Sequence, residues 1–179
     1  MTPWRRRLHR WAGNLPTKII EHDGAPLFER SVVFHGRLPV VGEVTVYLHH
    51  YLVSDPDRGL HDHPWLWALA LPLAGGYREE RLLSIGRTLR KVIRRRRPVM
   101  PYRLTGHDFH RVVLGERTSW SLFITGANGA KQWGFLRDVS AEADSHGTVT
   151  YSPYLSDTGS HTVWWEKAPL GWALRRATP

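Results

Sequence analysis

The stretch Gly59-Leu60-His61-Asp62-His63-Pro64-Trp65 decides how the rest of the chain reads. Side chains on a β-strand alternate between faces, so His61 and His63 point the same way and stand about 7 Å apart along the strand. Both imidazoles can then reach one metal ion. Pro64 holds His63 extended and cannot donate to a ladder, which puts the pair at the start of a strand, near its rim. Before the pair, Ser54-Asp55-Pro56-Asp57-Arg58-Gly59 is a loop by every local signal. After it, Trp65 to Leu73 is an apolar, strand-like run. A third histidine, His110, opens Phe109-His110-Arg111-Val112-Val113-Leu114, 47 residues after His63.

Three imidazoles with the remaining positions open is how a catalytic metal is held. Eleven histidines in 179 residues make chance pairs common. The preceding loop, the following strand and the later rim histidine raise this pair above that background. His107, three residues before His110, is an alternate third ligand; His110 is preferred because the apolar strand begins there.

Outward from this stretch the chain is a series of short β-prone runs with Gly and Pro between them. Ser31 to Phe34 ends at Gly36, and Glu43 to Val53 alternates as a strand with two partly buried faces. Trp65 to Leu73 breaks at Gly75-Gly76, Tyr77 to Ile85 returns, Gly86 turns again, and Arg87 to Val99 follows. Pro98 and Pro101 bracket a bend before Tyr102-Arg103-Leu104. His110 to Leu114, Ser119 to Thr125 and Gln132 to Leu136 are three more strands, with Asn128-Gly129 as a hairpin signal between the last two. The spacing predicts an all-β fold: a basic N-terminal extension over 1–27, a barrel over 28–137 and a C-terminal extension over 138–179. Within the N-terminal extension Arg5 to Trp11 reads as a short helical turn. In the C-terminal one, Val149-Thr150-Tyr151 reads as a strand, and Trp164, Trp165 and Trp172 are expected to pack over the outside of the barrel.

Hydrophobic residues make up 41% of the chain, with nine Trp, which places it among folding globular domains. There is no cysteine, so disulfides, thiolate metal sites and a cysteine nucleophile are excluded together. Any metal must sit on histidine, carboxylate or water. The formal charge is +9, and 21 of the 25 basic residues are arginine, a balance that favours anionic partners. No apolar run has signal-peptide or bilayer-spanning length, so a cytoplasmic protein without a membrane partner is expected. No Gly-x-Ser-x-Gly elbow, P-loop or dinucleotide fingerprint is present.

The order Gly59-Leu60-His61-Asp62-His63, a strand, Gly75-Gly76, then Gly106 and His110 resembles the two-motif signature of the cupin superfamily over roughly residues 43 to 137. More narrowly, His61-Asp62-His63-Pro64-Trp65, Gly75-Gly76-Tyr77-Arg78-Glu79-Glu80, His110-Arg111-Val112 and Trp133-Gly134-Phe135 resemble a cupin-like family of bacterial and phage genomes. The resemblance implies a jelly-roll barrel with a divalent metal near its mouth, and a homodimer paired through sheet edges. Typical cupins place a glutamate ligand four or five residues after the second histidine, where this chain has Trp67 and Ala68. If Gly75-Gly76 turns a hairpin, Glu79 lies on the order of 25 Å along the strand from His63, so neither Glu79 nor Glu80 is expected to serve. Asp62 alternates to the opposite face. What remains is a set of three histidines without a carboxylate, which resembles thiol dioxygenases and some other dioxygenases among cupins.

Three neutral imidazoles leave the charge of a divalent ion uncompensated, so the open positions favour an anionic ligand. Iron(II) suits oxygen activation, while zinc, nickel and manganese accept the same nitrogen set. For a small anionic substrate, Arg103 is the candidate carboxylate partner because its fork bonds bidentately, and Arg111 should face away from the metal. Tyr47 and His49 share a strand face that can orient a histidine or substrate, and Trp67 and Trp133 are candidate pocket walls. The block Arg94-Arg95-Arg96-Arg97 reads either as a charged edge that discourages strand pairing or as an anion contact. Three functions follow: an iron(II) dioxygenase acting on a small anionic molecule; a non-redox metal-dependent lyase or isomerase; and a non-catalytic, metal-stabilised module that contacts an anion or nucleic acid. Against the last stands the absence of any recognised nucleic-acid motif.

Overall fold

A computed structural model describes residues 2–56, 59–85, 88–127, 129, 131–137, 150–154 and 163–177. The first element is the helix α1 (Pro3–Gly13), followed by β1 (Thr17–His22), β2 (Ala25–Leu38), β3 (Gly42–Tyr51), β4 (Leu60–His61), β5 (Trp67–Ala74) and β6 (Tyr77–Ile85). Then come β7 (Thr88–Arg96), β8 (Tyr102–Thr105), β9 (His110–Val113), β10 (Ser119–Thr125), β11 (Gly134–Arg137) and β12 (Thr150–Pro153), a 3₁₀ turn at Trp164–Glu166 and the helix α2 (Gly171–Ala177).

The strands form two six-stranded antiparallel sheets, ordered β1-β2-β3-β10-β5-β8 and β12-β11-β4-β9-β6-β7. From β3 onward the chain changes sheet at nearly every connection, the mark of a jelly roll. In β5 the alternation is complete: Ala68, Ala70, Pro72 and Ala74 are buried between half-buried neighbours. The small inward residues leave room for Tyr47, Phe123 and Leu104, which pack with Ala68 and Ala70 in the interior.

Both faces of the first sheet are covered, which explains why β3 reads as apolar on both sides. Phe28, Arg30 and Val32 of β2 pair with Tyr51, His49 and Tyr47 of β3 on the interior face. On the other face Leu48 and Trp120 meet Leu8 and Ala12 of α1. Thr2 caps that helix by accepting from the Arg5 N–H, with Pro3 opening its first turn. The helix α2 is clamped to β2 by Arg175, whose Nε and Nη2 donate to Glu29 Oε1 and Oε2 at 2.9 and 2.7 Å.

Several expectations are corrected. Gly75-Gly76 does not close a hairpin: both residues have positive φ, +90° and +70°, and they carry the chain from the first sheet to the second. A Cβ at Gly75 would stand 2.5 Å from the Thr118 carbonyl oxygen, so the crossing needs glycine there. Asn128 and Gly86 lie outside the described residues, and β10 and β11, which Asn128-Gly129 was expected to join as a hairpin, belong to different sheets. The sheets also extend past the 28–137 span, because β1 pairs along β2 and β12 along β11. Trp164 and Trp165 pack against the interior cluster rather than the barrel's outside; Trp172 does lie outside, donating from Nε1 to Asn14 Oδ1 at 2.9 Å. Among the described residues no helix is long and apolar enough to cross a membrane.

Candidate metal centre

The histidines converge because β4 and β9 are neighbours. His61 stands directly opposite His110 in the ladder, and opposed residues of an antiparallel pair share a face. His63 arrives differently from the expectation. It does not share a strand with His61 but follows β4 in the bend that carries the chain across to β5. Gly106 makes room for that bend: a Cβ there would lie 2.5 Å from the Trp65 carbonyl oxygen and 2.9 Å from that of His63.

The three rings form a nearly equilateral triangle. Their centroids are 5.0 Å apart for His61–His63, 4.9 Å for His61–His110 and 5.1 Å for His63–His110. One nitrogen from each lies within 4.8 Å of the other two, and His63 Nε2 is 2.9 Å from His110 Nε2. His107 is exposed and outside this group.

Behind His110 stands Glu79, at odds with its expected distance. Glu79 Oε1 is 2.9 Å from His110 Nδ1. Once β6 crosses to the second sheet it pairs with β9, placing Glu79 opposite Val112 and Arg81 opposite His110 on one face. Glu79 is fully buried. Burial opposes its ionisation, but the His110 hydrogen bond and the Arg96 guanidinium outweigh that and hold its pKa below the ordinary carboxylate range. Arg96 Nε donates to Glu79 Oε2 at 2.8 Å, Nη2 contacts the same oxygen, and the guanidinium lies 3.7 Å over the Tyr102 ring. One member of the arginine block, Arg96, is therefore turned inward and half-buried, while Arg94 and Arg95 on the edge strand β7 and Arg97 just after it are exposed.

This arrangement fits a divalent cation. An ionised carboxylate only accepts hydrogen bonds, so His110 carries its proton on Nδ1 and presents the lone pair of Nε2 inward. Burial holds the His63 pKa well below its usual value, which leaves it a neutral donor. At 2.9 Å the Nε2 atoms of His63 and His110 share one proton position, and a bound cation would take the place of that proton between them. Asp62 faces away, as expected: it is buried, accepts from the Gly134 N–H at 2.7 Å and pairs with Lys131.

His61 and His63 open onto a cavity of about 240 Å³ walled by Phe28, Trp65, Trp133 and Phe135. Trp133 thus lines the cavity, stacked on Tyr154 at 4.3 Å. Tyr47 lines an adjoining cavity of about 230 Å³ that shares Lys18, Arg30, Pro64 and Trp65 with the first. His49 is buried behind Arg30, whose Nε donates to His49 Nε2 at 3.2 Å. The other two substrate candidates are not brought here. Arg103 is exposed, because its neighbour Leu104 is the buried residue of β8. Trp67 alternates outward from Ala68 and lies against Gly126, outside the lining of either cavity. The sequence reading missed Arg30 and Lys18. Their signal was the pairing of Arg30 with His49 on a face already identified.

The fold is a two-sheet antiparallel jelly roll. No protein-family model matches the chain, and no curated protein sequence does. Among solved structures it is similar to the iron(II) form of HppE, at 10% identity and a TM-score of 0.48 over 62% of this chain and 56% of that one. It is also similar to the DMSP lyase DddQ from Ruegeria pomeroyi, at 12% identity and a TM-score of 0.48 over 68% and 60%. A third is a conserved protein with a double-stranded β-helix domain from Klebsiella pneumoniae, at 14% and 0.44 over 65% and 89%. The chain spans less than two thirds of the first two. At these identities and scores the likeness concerns the course of the chain and reaches neither chemistry nor substrate.

Proposed function

We propose that this protein is a metal-dependent enzyme whose three-histidine centre serves iron(II) dioxygenase chemistry on a small anionic molecule. The observation that carries this reading is the convergence of His61, His63 and His110 at the wall of an aromatic cavity, with their ligand nitrogens within 4.8 Å of one another. When bound there, iron(II) supplies one-electron chemistry with dioxygen, and its charge, uncompensated by neutral imidazoles, favours an anionic partner.

The chain's own residues prepare the site. Glu79 fixes the tautomer and ring plane of His110, and Arg96 fixes Glu79. His63 is held between Trp65, stacked at 4.8 Å, and Phe123 at 5.9 Å, so its ring has little freedom to swing. Trp65, Phe28 and Phe135 limit water access.

The test is oxygen uptake by anaerobically iron-loaded protein against a panel of small thiols and carboxylates, beside His63→Ala. Uptake with one compound class, absent from the variant, is the expected result. A compound consumed by zinc- or manganese-loaded protein without oxygen uptake would replace this reading with the non-redox one.

A further inference from the structure

Among the described residues Arg30 makes no ion pair. Its guanidinium lies 5.2 Å from the Phe28 ring and 5.2 Å from the Tyr47 ring, and among the described residues its hydrogen bond is the one from Nε to His49. Burial pushes its pKa down, and the ring of His49 is neutral, since burial and the Arg30 charge hold its own pKa well below the usual value. Arginines placed inside a protein are ordinarily paired with carboxylates. Arg30 lines both cavities, and Lys18 lines the same two. Lys18 is held by the face of Trp164, with Nζ 4.4 Å from the ring centroid. Burial and the neighbouring Arg30 lower its pKa to about 8. The two cations share both cavities, and among the described residues neither makes an ion pair. The acids on the two cavities do not fill that role: Asp55 Oδ2 accepts from the Val112 N–H at 2.7 Å, and Glu21 and Glu43 are exposed.

We propose that Arg30 and Lys18 form an anion subsite that takes the carboxylate of a small apolar acid and holds its body against His61 and His63. Arg30, Lys18, His61 and His63 all line the first cavity, so the subsite and the histidines face one space. A guanidinium with free terminal nitrogens matches a planar carboxylate, and Phe28, Trp65, Trp133 and Phe135 supply an apolar wall for the rest of the molecule. This assignment rests on the metal-centre reading only for the orientation of the ligand; the subsite itself is built without the metal.

The test uses metal-free full-length protein and two probes of one shape, benzoate and neutral benzamide, followed by calorimetry and by intrinsic tryptophan fluorescence. Benzoate should bind saturably and benzamide at least ten-fold more weakly. Arg30→Gln should lose at least ten-fold in benzoate affinity and Lys18→Gln several-fold. Because the protein is metal-free throughout, this result is separate from that of the metal centre. Equal binding of the two probes, unchanged affinity in Arg30→Gln, or no saturation would overturn the proposal. The benzoate-to-benzamide ratio of the wild type decides it even where Arg30→Gln loses its fold.

Discussion

Glu79 Oε1 lies 2.9 Å from His110 Nδ1, and Arg96 holds the other Glu79 oxygen from the far side. This line of three side chains joins the basic edge strand to the metal centre. Glu79→Gln keeps the shape but removes the charge that fixes the His110 tautomer and pairs with Arg96. Metal affinity should fall about 10–100-fold, read by competition with a chelator of known affinity. Unchanged affinity would show that His110 does not depend on Glu79.

Gly106 lies where a Cβ would press on the carbonyl oxygens of Trp65 and His63. Backbone has nowhere to retreat on the scale of a rotamer change. Gly106→Ala should cost about 1–3 kcal/mol in denaturant unfolding and, by moving the His63 bend, weaken metal binding as well. A variant with wild-type stability and metal content would contradict this packing.

How far the sequence could reveal this site follows from what each residue depended on. His61, His63 and His110 were legible because spacing, a loop and two apolar runs are local features, and the β4–β9 pairing then brings them together. Glu79 was not, because its place depends on whether Gly75-Gly76 closes a hairpin or carries the chain to another sheet. Two glycines permit either course; only the partners of β6 decide it. Arg30 was hidden for a related reason. Glu29 and Arg30 point to opposite faces and both meet protein, since α2 covers one side through Arg175 and the barrel interior takes the other. Arg103 was chosen for its chemistry without knowledge of its face, and burial of Leu104 turns it to solvent.

Arg103→Ala should accordingly leave both metal content and benzoate affinity unchanged, with stability within about 0.5 kcal/mol of wild type. Parallel metal analysis and calorimetry check this. A ten-fold loss in either would return Arg103 to the site.

Glu29 gives a pH signature far from the histidine centre. Burial opposes its ionisation, but hydrogen bonds from Arg175 and His50 prevail and lower its pKa from 4.5 to about 2. A depressed folded-state value means the stabilisation is fully present above the unfolded value of 4.5 and is lost as pH falls towards 2. Against Glu29→Gln, the wild type should be about 1.5–3 kcal/mol more stable near neutral pH, and the gap should close between pH 4.5 and 2. Thermal melts across that range read it directly; a gap that stays constant would remove Glu29 as the titrating group.

The most direct measurement of the central claim is the metal content of tag-free protein purified anaerobically, taken by elemental mass spectrometry beside His61→Ala and His110→Ala. The three-histidine centre predicts about one divalent ion per wild-type chain and its loss in both variants, each folded as judged by circular dichroism. A metal-free wild type that also fails to take up added iron(II), zinc or manganese, or variants that retain the ion, would contradict it.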